Sequence, residues 1–196
     1  MASLTIESSE KLLTTVTEIS DEEILDLLQV KQQSERGFRL LMDKYQERLY
    51  WHIRRMVVSH EDANDVLQNT LIKAYRGIVN FQGNSKLFTW LYRIGTNESI
   101  TFLNNKKRKA TETMDADNGI ASQLVADSFF DGNEAQVLLQ RALEQLPAKQ
   151  KAVFSMRYYD ELSYQAISDI VGTSVGGLKA SYHHAVKKIE AFIKNN

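Results

Sequence analysis

The stretch that decides the fold is LSYQAISDIVGTSVGGLK, residues 162–179. Its first half has one apolar face and predicts a short helix, which Gly172 ends because glycine adopts a left-handed conformation readily. Ser174 is suited to cap a second helix, which continues to Ile193. Two helices joined by such a tight turn are typical of a helix-turn-helix that binds DNA.

The second helix of this motif has two distinct faces. Apolar residues at steps of three and four predict one buried stripe. This stripe consists of Val175, Leu178, Tyr182, Ala185, Ile189 and Phe192. The opposite face is small or basic, and glycines at 176 and 177 leave its first turn open to a phosphate. From this segment alone, an ordinary two-helix corner of an all-α domain remains the alternative.

Composition narrows the class of protein. The chain has 196 residues, enough for one large or two small domains, and it contains no cysteine. A single proline and nine glycines predict a mostly helical protein. No apolar run approaches the roughly 18 residues that span a bilayer, and the N-terminus is too polar and acidic for a secretory signal. We therefore expect a cytoplasmic protein.

Charge is segregated along the chain, although the net charge is only −1. Residues 36–109 carry a net charge of +8 and residues 133–196 one of +2, whereas residues 1–35 carry −6. Between the positive blocks, residues 110–132 hold five acidic side chains and no Lys or Arg. Clustered positive charge is typical of nucleic-acid binding, and solvated charged faces are the alternative.

Periodicity and turn residues predict an all-α fold of two small helical domains joined by an acidic flexible linker, with the helix-turn-helix in the second domain. The predicted organisation is a flexible tail over 1–20, a first domain over 21–109, the linker over 110–132 and a second domain over 133–196. The predicted helices of the first domain cover about 21–31, 34–58, 61–75 and 86–105. The last of these is expected to bury Phe88, Leu91, Ile94 and Phe102, with Glu98 as its one mismatch.

Several segments resemble conserved motifs of one family. Residues 81–97, FQGNSKLFTWLYRIGTN, resemble the promoter-melting segment of extracytoplasmic-function (ECF) sigma factors of the sigma-70 family. Residues 61–70, EDANDVLQNT, resemble their polymerase-binding helix. ALEQLP at 142–147, together with residues 162–189, resembles the second conserved domain of the family. The resemblance covers about residues 34–194, and motifs in the expected order are more specific than any one alone.

The resemblance implies a dissociable specificity subunit of bacterial RNA polymerase, which is not itself an enzyme. Such a protein binds core polymerase and promoter DNA and opens the duplex, with one domain at the minus-ten and the other at the minus-thirty-five element. An anti-sigma factor that masks these faces is a further expected partner. The face assigned to core polymerase consists of Asp62, Asp65, Gln68 and Asn69. Acidic and amide side chains can pair with Arg on a partner, and a solvated helix face is the ordinary alternative.

Melting requires a pocket for an unstacked base, stacking surfaces and cations. The resemblance places these functions on Phe81, Asn84, Ser85, Lys86, Phe88, Trp90, Arg93, Asn97, Lys106, Lys107 and Arg108. Phe81 and Phe88 are expected to wall the pocket, and Asn97 to bind a base edge. Trp90 and Tyr92 must point in different directions because they lie two residues apart on a helix, and Trp90 is expected in the core. The basic run at 106–109 is expected to contact phosphates, although it also complements the helix dipole.

The resemblance assigns minus-thirty-five recognition to Gly176, Gly177, Lys179, Ala180, His183, His184 and Lys187. Two departures from the family pattern affect this surface. Arginine, which is frequent at several of these positions, is absent from 163–196, and Gly177 stands where Thr is more usual. We therefore expect modest affinity, and the family's sequence preference does not carry over.

The remaining expectations concern the linker and chemistry. The linker is expected to enter a basic channel of the polymerase through Asp115, Asp117, Asp127 and Asp131. No metal or cofactor site is expected, because the four histidines lack metal-ligand spacing and no phosphate-binding loop or dinucleotide motif is present. Neither a small-molecule substrate nor membrane insertion is expected. Two other functions stay open: a helix-turn-helix regulator that binds duplex DNA without melting it, and a helical protein-interaction module.

Overall fold

A computed structural model of the chain describes residues 19–113 and 134–196, and every regular element in these residues is a helix. The α-helices are α1 (Asp21–Gln29), α2 (Ser34–Val57), α3 (His60–Gly77), α4 (Leu87–Thr113), α5 (Glu134–Glu144), α6 (Ala148–Tyr158), α7 (Tyr164–Val171) and α8 (Val175–Lys194). A short 3-10 helix, Ile78–Asn80, follows α3. The all-α prediction is confirmed. Nearly all of the predicted tail, and the linker aspartates Asp115, Asp117, Asp127 and Asp131, lie outside the described residues.

The helix ends follow local residue preferences. Gly172 ends α7 with a φ of +68°, and the Ser174 hydroxyl accepts a hydrogen bond of 3.3 Å from the Gly177 N–H at the start of α8. The helix-turn-helix therefore forms as predicted. In contrast, α4 continues to Thr113, beyond its predicted end at 105. Residues 106–113 contain neither Gly nor Pro and are rich in Lys, Arg, Ala and Glu, which favour helix continuation.

The chain forms two compact units, and the first ends at Lys44. In this unit α1 begins with a capping box, in which the Ser20 hydroxyl accepts from the Glu23 N–H at 3.1 Å and the Glu23 carboxylate accepts from the Ser20 N–H at 2.9 Å. The helices α1 and α2 cross closely at Gly37, where a β-carbon would lie 2.9 Å from the Leu28 nitrogen. This crossing requires a glycine, because backbone atoms cannot move aside as a side chain can.

The second unit runs from Tyr45 to Asn196. Its main core joins the second half of α2, α3 and α4 to α6, α7 and α8. The buried apolar residues of this core are Leu49, Ile53, Met56, Val57, Ala63, Val66, Leu67, Tyr92, Ala152, Val153, Met156, Ile167, Ile170 and Leu178. A separate cluster joins α5, α6 and α8 through Ala142, Leu143, Leu146, Phe154, Ala185 and Ile189. Helices from both predicted domains thus share one core, while the predicted domain boundaries stay a prediction.

The buried face of α4 differs from the predicted one. The buried positions are Leu87, Thr89, Leu91, Tyr92, Gly95, Thr96 and Ser99, whereas Phe88, Ile94, Glu98 and Phe102 are only half-buried. Small residues form much of this face because neighbouring helices come close: a β-carbon on Gly95 would lie 2.9 Å from a methyl of Leu49. The Ser99 hydroxyl donates to the Gly95 carbonyl at 2.8 Å, which satisfies its buried polar atom. Glu98 is not a core mismatch, because it pairs with Lys73 of α3 at 2.5 Å.

Candidate functional site

The outer face of α8 is open to solvent along the whole predicted minus-thirty-five surface. All of its predicted residues are exposed, namely Gly176, Gly177, Lys179, Ala180, His183, His184 and Lys187. A β-carbon on Gly176 would meet no atom within 4 Å, so a ligand can approach the backbone there. The Lys179 ammonium lies 5.9 Å from the centre of the Tyr164 ring of α7, a distance at which a cation is attracted to an aromatic face. The opposite stripe is buried at Leu178 and Ala185, as predicted.

A second exposed surface lies on α3 and carries the predicted polymerase contacts. Asp65, Gln68 and Asn69 are exposed, while Asp62 is half-buried. The Asp62 carboxylate accepts a hydrogen bond of 2.8 Å from the ammonium of Lys106 in α4. The structure therefore joins one predicted polymerase-binding residue to the predicted phosphate-binding run.

Sequence reasoning missed three apolar side chains beside this polar face. Ile72 and Tyr75 of α3 are 43% and 48% exposed, and Val79 of the following 3-10 helix is 82% exposed. Spacings of three and four residues place them along one side of the chain, continuing the line from Gln68. The sequence signal was available, because these apolar residues fall outside the buried stripe of α3. Exposed apolar residues in such a row are typical of a protein interface.

The turn before α4 forms a polar rim. Gly83 has a φ of +70°, a conformation that glycine adopts without strain. Asn84 and Lys86 are exposed and Ser85 is half-buried, and the Asn84 amide donates to the side-chain oxygen of Gln82 at 3.1 Å. These side chains are neighbours in the turn, and their expected role at a melted strand stays a prediction.

The aromatic residues near this turn correct one expectation. Trp90 is half-buried against Phe81, with ring centres 5.2 Å apart, and Tyr92 takes the core position at 1% exposure. The prediction that Trp90 lies in the core is therefore wrong, because the buried face of α4 is rotated toward Tyr92. Burial raises the pKa of Tyr92, whose hydroxyl donates to the carbonyl of Arg48 at 3.3 Å. The rings of Phe88 and Tyr92 are tilted by 39° with their centres 4.1 Å apart, so Phe81 and Phe88 pack against different rings. Their expected role as the walls of a base pocket stays a prediction.

The exposed side of α4 carries Arg93 and Asn97 one turn apart. The Arg93 guanidinium donates a hydrogen bond of 2.5 Å to the Asp169 carbonyl of α7. Lys107 and Arg108 are exposed near the end of the same helix. This side of α4 therefore presents an amide and several cations to solvent, and one of those cations, Arg93, also contacts the helix-turn-helix.

Comparison with known protein families matches two segments of the chain, one that contains α3 and one that contains the helix-turn-helix. Sigma-70 region 2 matches residues 41–109, which include α3 and most of α4. Sigma-70 region 4 matches residues 136–189, which include the helix-turn-helix. The chain belongs to the sigma-70 family of RNA polymerase sigma factors.

The relatives define the class within that family. The ECF RNA polymerase sigma factor SigW of Bacillus subtilis is 33% identical over 166 residues, which cover 79% of this chain and 88% of SigW. The RNA polymerase sigma-H factor of Pseudomonas aeruginosa is 27% identical over 184 residues, covering 89% of this chain and 94% of that factor. The ECF class predicted from the sequence is confirmed.

Solved structures share the fold. The sigma factor RpoE in its complex with the anti-sigma factor NepR from Bartonella quintana aligns with a TM-score of 0.65 at 21% identity, covering 81% of this chain and 98% of RpoE. CnrH in complex with the cytosolic domain of CnrY aligns with a TM-score of 0.63 at 20% identity, covering 90% of this chain and 99% of CnrH. Among the described helices, none combines the length and apolar character needed to cross a bilayer.

Proposed function

We propose that this chain binds core RNA polymerase, directs it to specific promoters and promotes DNA melting at the start of transcription. The observation that carries this proposal is the order of two sigma-70 regions, each with an exposed surface of suitable chemistry. The role is non-catalytic, because the chemistry of transcription belongs to the polymerase. Because its proposed partner is bacterial RNA polymerase, we propose that the chain acts in the cytoplasm of a bacterium.

The polymerase contact is proposed for the exposed face of α3. Asp65, Gln68 and Asn69 supply acceptors for cationic side chains of a partner, and Ile72 and Tyr75 supply apolar area beside them. A polar set beside an apolar patch suits a stable yet dissociable interface, since burial of the patch gives affinity and charge gives orientation. Asp62 exchanges Lys106 for a partner's cation when the complex forms.

The minus-ten contact is proposed for the turn at Gly83 and the exposed side of α4. Trp90 and Phe81 present a joined aromatic surface on which an unstacked base can rest, and Asn97 offers both a donor and an acceptor to a base edge. Lys86 and Arg93 supply cations along the strand. Phe88 packs against Tyr92 with ring centres 4.1 Å apart, and we assign it the role of a support for this surface.

The minus-thirty-five contact is proposed for α8, entering the major groove with its N-terminal turns. Lys179 can bind a phosphate or a guanine edge, and Gly176 lets the backbone approach. His183 and His184 extend the surface with groups that can donate or accept hydrogen bonds. With so few cations, this helix anchors the polymerase upstream and does not hold promoters by itself.

An anti-sigma factor is the proposed inhibitory partner. Two proteins of the same fold, RpoE and CnrH, were solved with an anti-sigma factor and with the cytosolic domain of CnrY, respectively. The exposed apolar residues Ile72, Tyr75 and Val79 offer an inhibitor the same surface that core polymerase would use. Competition for that surface would keep this chain from the polymerase.

The decisive test combines pure protein, bacterial core polymerase and promoter DNA, and detects the melted strands with permanganate. Melting is expected only when both protein and core are present. Asn97→Ala is expected to reduce melting at least tenfold and to leave core binding unchanged. Asn104→Ala, at another exposed asparagine of α4, is the matched control and should change neither melting nor core binding. Tight duplex binding without core would instead support a conventional regulator. Core binding without melting by any variant, including the unaltered chain, would support an interaction module.

A further inference from the structure

Asp160 joins two segments of the second unit that are far apart in sequence. It lies between α6 and α7, where its N–H donates to the Ser155 carbonyl at 3.3 Å. Its carboxylate accepts a hydrogen bond of 2.7 Å from the Arg55 guanidinium and lies 2.8 Å from Nδ1 of His52, both in α2. A carboxylate can only accept, so the His52 ring donates through Nδ1–H. The Asp160 side chain is only 3% exposed, so this charge is buried between the two segments.

The surroundings of this carboxylate are shaped to hold it. His52 is fully buried, its other ring nitrogen lies 2.9 Å from the Thr96 hydroxyl of α4, and its ring centre lies 4.6 Å from that of Tyr92. Arg55 is positioned over the Tyr159 ring at 5.0 Å. Loss of a partner from this carboxylate costs more than loss of a partner from a surface ion pair, because the Asp160 charge is buried and water cannot replace the lost hydrogen bond.

A second contact also joins the segment containing α2 and α4 to the segment containing α6 and α7. Arg93, on the side of α4 proposed to face promoter DNA, donates to the Asp169 carbonyl of α7. Beneath it, Ile167 and Ile170 of α7 belong to the same buried core as Ile53 of α2. The closed arrangement therefore uses one of the cations that the promoter would need.

Promoter geometry conflicts with this closed arrangement. The minus-ten and minus-thirty-five elements are about 25 base pairs apart, which is about 85 Å along the duplex at roughly 3.4 Å per base pair. A compact unit of about 150 residues has a radius of gyration of about 15 Å and is roughly 40 Å across. The closed second unit therefore cannot place α4 and α8 on both elements at once.

We propose that Asp160, held by Arg55 and His52, is a latch that keeps the sigma-70 region 2 and region 4 segments of this chain closed on each other until polymerase and promoter separate them. This inference rests on the proposed function, because the need to open follows from binding at two promoter elements. It assigns regulation to the chain itself, in addition to any inhibitory partner. Loss of the latch shifts the free chain toward the open form.

Distance measurement between two spin labels tests the latch in the full chain. The chain has no cysteine, so Thr101→Cys on α4 and Glu190→Cys on α8, both exposed, provide unique attachment points. Asp160→Asn keeps the side-chain shape and removes the charge. It is expected to raise the ratio of open to closed molecules about 10- to 100-fold, the range for loss of a charged hydrogen bond. Glu161→Gln, a neighbouring exposed acid, is the matched control and should leave the distances unchanged.

Further variants keep the test independent of folding. Helix content by circular dichroism identifies any Asp160 variant that unfolds, and Arg55→Gln then replaces it with the same expected opening. The double variant should open no further than Asp160→Asn alone, since both substitutions break one interaction. Equal distances for Asp160→Asn and Glu161→Gln, with both chains folded, would overturn the latch.

Polymerase provides the final arm. Addition of core polymerase and promoter DNA to the labelled chain is expected to lengthen the distance, and an unchanged short distance in an active complex would overturn the proposal. Core binding and strand melting are scored in the same samples. A chain that opens on Asp160→Asn yet never binds core would retain the latch and reject the proposed function, so the two failures are distinguishable.

Discussion

Lys151 carries a buried ammonium group that pairs with the carboxylate of Glu144, and this pair allows a sharp test of the C-terminal helices. Lys151 of α6 is 2% exposed, and its ammonium donates to the carboxylate of Glu144 at the end of α5, whose side chain is 20% exposed. Glu144→Gln leaves the cation buried beside a neutral amide. Removal of one partner of a buried pair typically costs 3–5 kcal/mol, and the partial exposure of Glu144 reduces our expectation to about 2–4 kcal/mol.

Lys151→Met is expected to cost less than Glu144→Gln. Methionine matches the unbranched shape of lysine and removes the buried charge, while the remaining carboxylate of Glu144 still reaches water. We expect a loss of about 1 kcal/mol for this variant, and recovery toward the unaltered chain when both substitutions are combined. Lys149→Met, at an exposed lysine of the same helix, is the matched control and should change stability by less than about 0.5 kcal/mol.

The same pair predicts a pH dependence of definite sign. Burial lowers the pKa of Lys151 from its ordinary 10.5, and the nearby Glu144 carboxylate offsets part of that effect. Between the folded pKa and 10.5, the unfolded chain binds more protons, so the free energy of unfolding rises with pH in that interval. Glu144→Gln lowers the folded pKa further and widens the interval, with a slope of at most about 1.4 kcal/mol per pH unit.

Urea unfolding followed by circular dichroism from pH 7 to 10 measures these differences. Comparison between variants is essential, because burial raises the pKa of Tyr92 and Tyr159 and gives the opposite slope above pH 10 in every chain. The reasoning is refuted if Lys151→Met destabilises more than Glu144→Gln. It is also refuted if the stability difference between Glu144→Gln and the unaltered chain does not shrink as pH rises toward 10.

Three further variants test separate features. Glu161→Gly should stabilise the chain by about 0.5–1 kcal/mol in urea unfolding. Glu161 is exposed with a φ of 54°, a conformation that glycine adopts without strain. An unchanged unfolding midpoint would contradict this reasoning. Gly176→Ala should raise the free energy of unfolding by about 0.5–1 kcal/mol through helix propensity, and it should weaken binding of the holoenzyme to the minus-thirty-five element. Unchanged binding would reject the proposal that the backbone at Gly176 approaches a phosphate. The double variant Lys107→Gln/Arg108→Gln should reduce the slope of log affinity against log salt concentration for promoter binding by about 1.5. An unaltered slope would show that these two cations do not contact phosphates.

Local sequence patterns were sufficient for the helices that bury a regular apolar stripe. The stripe of α8 was predicted because Leu178, Ala185 and Ile189 recur at helical spacing, and these three residues are buried. The turn before it was predicted from Gly172 and Ser174, whose roles depend only on neighbouring backbone atoms. Such features are local, so no knowledge of tertiary contacts was needed.

The buried face of α4 could not be predicted in the same way. Its core positions include Gly95, Thr96 and Ser99, which an apolar pattern does not count, and they are buried because neighbouring helices approach closely. This rotation of the helix also decided that Tyr92 and not Trp90 enters the core. Side-chain polarity is a poor guide wherever close helix packing favours small residues.

Contacts across long sequence separations were equally inaccessible. His52 and Asp160 are 108 residues apart, and nothing in either neighbourhood indicates the other. The sequence instead offered His52 as one of four histidines without metal spacing. A buried ion pair depends on the packing of the whole unit, so only the three-dimensional arrangement reveals it.

The two proposals meet at Arg93, and their coupling has a direction. In the closed chain its guanidinium binds the Asp169 carbonyl, a neutral acceptor, whereas promoter DNA would offer a charged phosphate, which binds arginine more strongly. A ligand shifts a conformational equilibrium only by the difference in its affinity for the two states. Promoter DNA that takes Arg93 therefore favours the open form, and a chain with a weakened Asp160 latch should need less of that binding energy to open. If both proposals hold, closure and promoter recognition are opposing uses of the same side of α4, and the free chain should bind promoter DNA more weakly than the polymerase-bound chain does.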